Sequence, residues 1–325
     1  MKLDDSNRFL SVFKRYGLVV ILIVLCIFFA ANTDHFATID NLFNVLRQVS
    51  MSIIISIGMA YVLITAGIDL SVGSMVGIAV NSCALMLIND VHTLAASIIS
   101  ILLCIGAGAI NGFLVAQIKM PPLIATLGTM TAYRGLVYLV TDAVPIFGFP
   151  DSFRVLGQGY VLNIVPIPVI IAIGIVIAGW FYINKTTYGR YTYAVGGNQE
   201  VARLSGINVK KVKYITYMIS GFCSGLAGVI LASRLSSGQP RAGLNYEMDV
   251  ITAVVLGGVS VAGGQGRIAG VIIGVLIMGV LSNGMIMMGV NEYWQMFLRG
   301  VILILAVAFD IYASQRKTKI VKTTP

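Results

Sequence analysis

Side chains able to do chemistry are few in this sequence, and most sit among apolar residues. The two histidines, His35 and His92, have no metal-ligating partners near them in the chain. The four cysteines, Cys26, Cys83, Cys104 and Cys223, lie inside apolar runs without metal-ligand spacing. They read as free thiols used as small apolar residues, not as a disulfide framework. The run Gly264-Gln265-Gly266-Arg267-Ile268-Ala269 has the pattern of a dinucleotide-binding turn. It lacks a strand before it and a suitably spaced acid after it, so that chemistry is rejected. No Gly-x4-Gly-Lys-Ser/Thr run occurs. The chain therefore has no phosphate-binding P-loop and does not itself hydrolyse ATP.

Asp69 is more informative. It stands with Ser71 and Gly73 in Ala66–Ser74, between two apolar runs, where an acid needs water or polar partners. One reading makes Asp69 or Ser71 a helix N-cap at the inner membrane face. The other gives Asp69, Ser71 and Gly73 a role in gating or in contact with a cytoplasmic partner. A second interruption, Gly257–Gln265, resembles the first. Aligned on Gly67 and Gly258, 191 residues apart, the two share small and polar residues and hint at a duplication. Three neutral amides, Asn81, Asn111 and Asn283, fall well inside apolar segments. Amides donate and accept without a fixed charge, so they suit a pathway for hydroxylated cargo; the alternative is hydrogen bonding between helices. Arg299 and Asp310 lie near opposite ends of the last apolar segment, within reach of the interface.

Composition dictates the elements that must hold these residues. Of 325 residues, 58% are hydrophobic and only 11% charged, against about 25% charged in soluble domains. A soluble fold of this size could not cover its apolar surface. At about 20 residues per span, ten apolar segments account for most of the chain: Tyr16–Ala31, Met51–Ala66, Val72–Ile88, Leu94–Ile118, Leu123–Val140, Ile164–Ile183, Tyr214–Leu235, Met248–Ala262, Ile268–Met288 and Trp294–Tyr312. The first could be a signal peptide but reads better as an uncleaved anchor. Met248–Ala262 is the weakest, being short and carrying Gly257-Gly258. The expected fold is an all-α polytopic membrane protein of about ten transmembrane helices with both termini cytoplasmic. It forms one domain over residues 1–325, with a cytoplasmic loop at 184–213. With all ten crossing, 16 of 22 basic and five of 13 acidic residues fall inside, a net of +11 there and −2 outside. That distribution follows the positive-inside tendency. It also makes the lipid bilayer, not nucleic acid, the partner that explains the basic balance.

The loop Asn184–Lys213 is the densest basic cluster. Gly196-Gly197 can turn the chain, Asn198 can cap a helix over Gln199–Ser205 with Glu200 in its first turn, and Gly206 can stop it. Val201, Ala202 and Leu204 would offer apolar contacts, either to lipid headgroups or to a soluble partner.

The run Gly189-Arg190-Tyr191-Thr192-Tyr193-Ala194-Val195-Gly196-Gly197-Asn198, with Ala202 and Leu204-Ser205-Gly206-Ile207 after it, resembles the coupling loop of the ribose-type monosaccharide ABC transporter permeases. Leu63–Ser74, Asp249–Gly266 and Asn283-Gly284 match the same family, in order, from Phe43 to Asp310. Small departures occur at Met248-Asp249 and Val201-Ala202. The resemblance implies an importer in the bacterial cytoplasmic membrane, formed with a second permease copy or a paralogue. A cytoplasmic ABC ATPase, often with tandem nucleotide-binding domains, would power it, and ATP and Mg would bind there; no cofactor is expected in this chain. An extracytoplasmic sugar-binding protein would deliver cargo, with the loops 142–162 and 236–247 candidates to receive it or simply solvated. ATPase coupling falls by resemblance on Asn198, Gln199, Glu200, Ala202, Leu204, Ser205, Gly206 and Ile207. The rival is an ion-coupled secondary sugar transporter, which would favour acids deep in the membrane; Asp69 and Asp249 are both expected at span ends. The particular sugar is not legible in these residues.

Overall fold

A computed structural model of the chain describes the backbone of residues 2–162 and 164–322 and the side chains of residues 17–162 and 164–312. The basic clusters Lys2–Arg15 and Arg316–Lys322, which the charge count assigns to the inner side, lie outside the described side chains. Among the described residues the elements run α1 (Lys2–Asn32), α2 (Ile39–Ile64), α3 (Val72–Ile88), α4 (Thr93–Ala116), α5 (Pro122–Thr141), α6 (Asp151–Gln158), β1 (Tyr160–Val161) and β2 (Val165–Pro166). They continue with α7 (Ile167–Lys185), α8 (Thr187–Gly197), α9 (Gln199–Leu204), α10 (Val209–Leu235), α11 (Tyr246–Leu256), α12 (Ile268–Met287) and α13 (Glu292–Lys322). The two strands form a small antiparallel hairpin, Val161 opposite Val165.

Among the described residues, seven helices are long and apolar enough to cross a membrane: α2, α4, α5, α7, α10, α12 and the part of α13 over Glu292–Tyr312. The apolar helices Gly17–Asn32 and α3 are shorter. Each of the ten apolar segments contains a helix, but Met248–Ala262 is not helical throughout. Its helix, α11, has 11 residues, about 16 Å, roughly half the thickness of a hydrocarbon core. Gly257 and Gly258, the latter at φ +84°, end it. Large apolar side chains face outward, Leu139 at 79% and Phe309 at 72% exposure among them, which suits helices surrounded by lipid.

Small residues set the packing. A Cβ on Gly108 would lie 2.3 Å from the Tyr217 carbonyl oxygen, and one on Gly221 would lie 2.2 Å from that of Cys104. Backbone contact of this kind seats α10 at the centre, against α4, α2 and α3. Gly270 and Gly274 bring α12 onto Gly257 and Ala253 in the same way. Among the described residues the four cysteines are free thiols.

Hydrogen bonds sort the helix ends into two groups. At one end the Gly264 N–H donates to Ile64 O at 2.9 Å, Tyr193 Oη to Gly266 O at 2.8 Å and Lys210 Nζ to Gln117 Oε1 at 3.0 Å. At the other, Ile146 and Gly238 exchange two bonds of 2.8 Å, and Gln158 Nε2 donates to Arg234 O and Ser236 Oγ, each at 3.0 Å. The two interruptions sit at the first end and share one geometry. At the end of α2, Ala66 N–H donates to Leu63 O and Gly67 N–H to Val62 O; at the end of α11, Gly258 N–H donates to Val255 O and Val259 N–H to Val254 O. Both are Schellman turns. Their equivalent residues are Ala66 (φ +57°) and Gly258, so alignment on Gly67 is off by one. The left-handed position defines the turn, and in the first interruption an alanine holds it.

Candidate functional site

The loop between α7 and α10 folds into two consecutive helices. Thr186 caps α8 by accepting from the Gly189 N–H at 3.1 Å. The turn expected at Gly196-Gly197 is instead the last turn of α8. A helix can end there because Gly196 lies directly on the backbone of α2: a Cβ would fall 1.7 Å from Ile64 O and 2.6 Å from Gly264 N. Asn198 caps α9, its Oδ1 accepting from Glu200 N–H at 3.0 Å and Val201 N–H at 3.1 Å. Ser205 closes the helix and Gly206 follows at φ +81°, with its N–H donating to Arg203 O.

The apolar residues of α9 divide. Ala202 is buried against Val195 and Val212, whereas Val201 and Leu204 are 58% and 78% exposed. Of the three expected apolar contacts, two are therefore offered outward and Ala202 is the internal anchor. Ile207 packs beside that anchor. Glu200 pairs with Arg203 at 2.9 Å on the open face, where such a pair contributes little. Gln199, Glu200 and Ser205 are exposed.

Gly196, Ile64 and Gly264 form a junction between α8 and both interruptions, with the Gly264–Ile64 hydrogen bond running through it. The last turn of α8 therefore packs directly against the end of α2 and the segment that follows α11. Gly196 was named in the sequence only as part of a turn; the glycine pair was the available signal, and the contact is the missing information.

Asp69 is fully buried, so it presents nothing to a soluble partner in this conformation. Its Oδ1 accepts from Ser71 N–H at 3.1 Å, Ser71 Oγ at 2.7 Å and Asn111 Nδ2 at 3.4 Å, and its Oδ2 accepts from Ser220 Oγ at 2.8 Å. Asn111 Nδ2 also donates to Ser71 Oγ at 2.7 Å, and Thr129 Oγ1 donates to Asn111 Oδ1 at 2.7 Å. The neighbouring Ile68 carbonyl accepts from Thr126 and Tyr217, each at 3.2 Å. This hub ties the α2–α3 connection to α4, α5 and α10. Ser71 occupies the cap position of α3 without a side-chain cap bond, so Asp69 braces the turn before the helix instead of capping the helix itself.

Gly73 begins a second fastening. Arg134 on α5 donates to Gly73 O at 3.0 Å, Pro240 O at 3.1 Å and Ala242 O at 2.7 Å. A Cβ on Gly73 would lie 2.2 Å from Gly243 O, so α3 and the 236–245 segment are pressed together there. Asn81 extends the contact by donating to Gly77 O at 2.8 Å and Gln239 O at 3.0 Å. Asn283 exchanges amide bonds of 3.0 and 2.9 Å with Asn41. Asn81, Asn111 and Asn283 thus hold helices and loops together here, and the structure does not bring them to one cavity. Asp310 accepts from Ser260 Oγ and Val261 N–H, and Arg299 pairs with Asp249 at 3.0 Å; both have protein partners. Among the described residues no cluster of His, Cys, Asp or Glu could hold a metal.

A helical body with several membrane-length helices, and with α8 packed against its interrupted hairpins, defines a multi-pass membrane protein. The family model described as "Branched-chain amino acid transport system / permease component" matches residues 41–307, and the chain belongs to that permease family. The ribose import permease protein RbsC of Haemophilus influenzae is 42% identical over 327 residues, covering 98% of this chain and 99% of its own length. The L-arabinose transport system permease protein AraH of Escherichia coli is 38% identical over 323 residues (96% and 95%). The galactose/methyl galactoside import permease protein MglC of Escherichia coli is 37% identical over 334 residues (96% and 98%). No solved structure matches the chain.

Proposed function

We propose that this chain is the membrane-spanning permease subunit of an ATP-driven importer that takes a monosaccharide from an extracytoplasmic binding protein into the cytoplasm. The observation that carries this reading is similarity over nearly the whole chain to permeases named for ribose, L-arabinose and galactose. It favours an ABC-type importer over an ion-coupled transporter, and a sugar over the amino acid cargo in the wider family description. On this reading ten helices cross: α1 to α5, α7 and α10 to α13, with α11 crossing by its helix and the turn-rich 257–267 segment together. Both termini then lie on the side of α8 and α9, in the cytoplasm of a bacterium bounded by its inner membrane.

The capped helix α9 is the docking element for the ATPase, through Val201 and Leu204, with ATP and Mg on that partner. The seating of the adjoining helix α8 on the end of α2 and on the segment after α11 would let nucleotide-driven closure bias inward-open against outward-open states. The segments 142–162 and 236–247 are joined by the Ile146–Gly238 bridge and together offer a face for the binding protein. A second copy or a paralogue completes the pathway.

Uptake of labelled ribose, arabinose and galactose by cells with and without this chain and its ATPase tests the reading; import that persists without the ATPase overturns it. An exposed apolar anchor at an interface contributes about 2 kcal/mol or more, so Leu204→Asp is expected to lower ATPase co-purification more than tenfold. Gly206→Pro should act similarly, because proline holds φ near −65° where Gly206 has +81°. Pull-down from solubilised membranes measures both, and wild-type recovery would show that α9 is not the docking element.

A further inference from the structure

The polar side chains that the coupling and hub regions leave unexplained gather at the opposite end of the bundle. A cavity of 210 Å³ opens between α2, α11, α12 and α13, lined among others by Gln48, Ser52, Ser56, Asp249, Ser282 and Arg299. Small-molecule sites usually run about 300–1,000 Å³, so this one suits a compact ligand. It shares the Asp249–Arg299 pair as a wall with a neighbouring cavity of 560 Å³. A larger cavity, 630 Å³ between α3, α4 and α5, is walled almost wholly by apolar residues such as Leu102, Leu103 and Leu136, and offers a hydroxylated molecule little.

Hydrogen bonding in the small cavity is incomplete. Arg299 is satisfied, with Nη1 on Asp249 Oδ2 at 3.0 Å and Nη2 on Ser282 Oγ at 2.9 Å. Asp249 Oδ1 is buried and has no hydrogen-bond partner within the chain. Ser56 is fully buried, and its Oγ is likewise without a partner. An acceptor-only carboxylate oxygen, a hydroxyl that can donate or accept, and the Gln48 amide that does both form a set with mixed polarity. Buried polar groups left open in this way cost stability unless a ligand completes them. Arg299 and Asp249 neutralise each other inside the cavity, and the remaining charged residue of its lining, Glu292, is exposed to solvent, so the enclosed part calls for no fixed charge. A molecule with several adjacent hydroxyls fits: one hydroxyl donates to Asp249 Oδ1 while its neighbour accepts from Gln48 or Ser56.

Gln48, Ser52 and Ser56 recur every four residues and so share one face of α2. This row leads from the end bearing the 236–247 segment toward the middle of the membrane. We infer that this cavity is the site where the permease holds its cargo during passage, and that the cargo class it takes is a neutral polyhydroxylated ring, with Gln48, Ser52, Ser56 and Asp249 as the contacts. This rests on the sugar-importer reading above.

The test uses the whole importer, with permease, ATPase and binding protein, reconstituted in vesicles and offered D-ribose, L-arabinose and D-galactose. A cysteine is placed at Ser52 in a Cys26→Ser background, with Gln48→Cys as a second position should the first fail to assemble. Labelling by a small methanethiosulfonate reagent is followed during turnover. The expected result is slower labelling with an imported sugar than with one that is not imported, and no such difference for a cysteine at the exposed Asn89. Gln48→Ala and Ser52→Ala should each raise the KM for import about 3- to 10-fold, the worth of one hydrogen bond. Import with unchanged KM in both alanine variants and unprotected cysteines overturns the site while leaving the importer reading intact. A wild-type complex that imports none of the three sugars overturns the importer reading instead.

Discussion

Replacing Gly196 with alanine is expected to abolish transport, while the same change at Gly197 leaves it near wild type. The two glycines are adjacent in the last turn of α8 and equal in sequence character. A Cβ on Gly197 would meet nothing within 4 Å, whereas one on Gly196 would fall 1.7 Å from Ile64 O and 2.6 Å from Gly264 N. Both obstacles are backbone atoms, so no rotamer change relieves the contact. The three strands of chain must separate, and the Gly264–Ile64 hydrogen bond of 2.9 Å is the first interaction to go. Overpacking with flexible neighbours costs about 1–3 kcal/mol, and rigid ones place this case at or above that range. Because α9 keeps its own cap at Asn198, the variant should still recover the ATPase in pull-downs. The partner ATPase bound to it should hydrolyse ATP without sugar being moved. Uptake and ATPase assays on the two variants side by side decide the matter, and equal transport by both would show that the junction carries no motion.

Asp69→Ala is expected to cost the protein several kcal/mol. The carboxylate accepts from Ser71 N–H, Ser71 Oγ, Ser220 Oγ and Asn111 Nδ2, and truncation leaves these donors facing an apolar void. Each buried donor stripped of its acceptor costs about 1–3 kcal/mol, and some can turn to one another. At about 2–4 °C per kcal/mol for a chain of this order of size, the thermal midpoint of the detergent-purified protein should fall by roughly 10 °C. Asp69→Asn should fall less, because its amide oxygen still accepts from Ser71 while the Ser220 hydroxyl can reverse to accept from its NH₂ group. An Asp69→Ala protein that melts with wild type would mean the hub is not holding the α2–α3 connection. Asn283→Ala is the comparison: it breaks one amide pair, with Asn41, and should shift the midpoint by only a few degrees.

These variants also divide what was legible in the sequence from what was not. Asn198, Gly206 and the limits of α9 followed from local rules, since a cap bonds amides two and three residues away. Gly108 and Gly112 of α4, and Gly221 and Gly225 of α10, stand four apart in the sequence, a spacing that places small residues on one helix face. Asp69 was recognisable as costly, yet its partners Asn111 and Ser220 are 42 and 151 residues away, and no spacing rule reaches that far. The turn lies at the end of the bundle that carries α8 and α9, but its full burial there was not legible for the same reason: burial is a property of what packs around the turn. Ser52 and Ser56 were passed over entirely, although their four-residue spacing with Gln48 was a usable signal.

By itself the sequence determined that the chain lives in a membrane, where helices must begin and stop, and which end carries the basic loop. Those properties depend on solvation and on bonds between near neighbours. Tertiary structure alone decided that Gly196 is a joint and not a bend, that Asp69 is a buried brace, that Asn81, Asn111 and Asn283 are fastenings, and that a polar cavity lies beside the Asp249–Arg299 pair. Each of these depends on which distant backbones touch, and close contact between distant segments leaves no periodic mark in the chain.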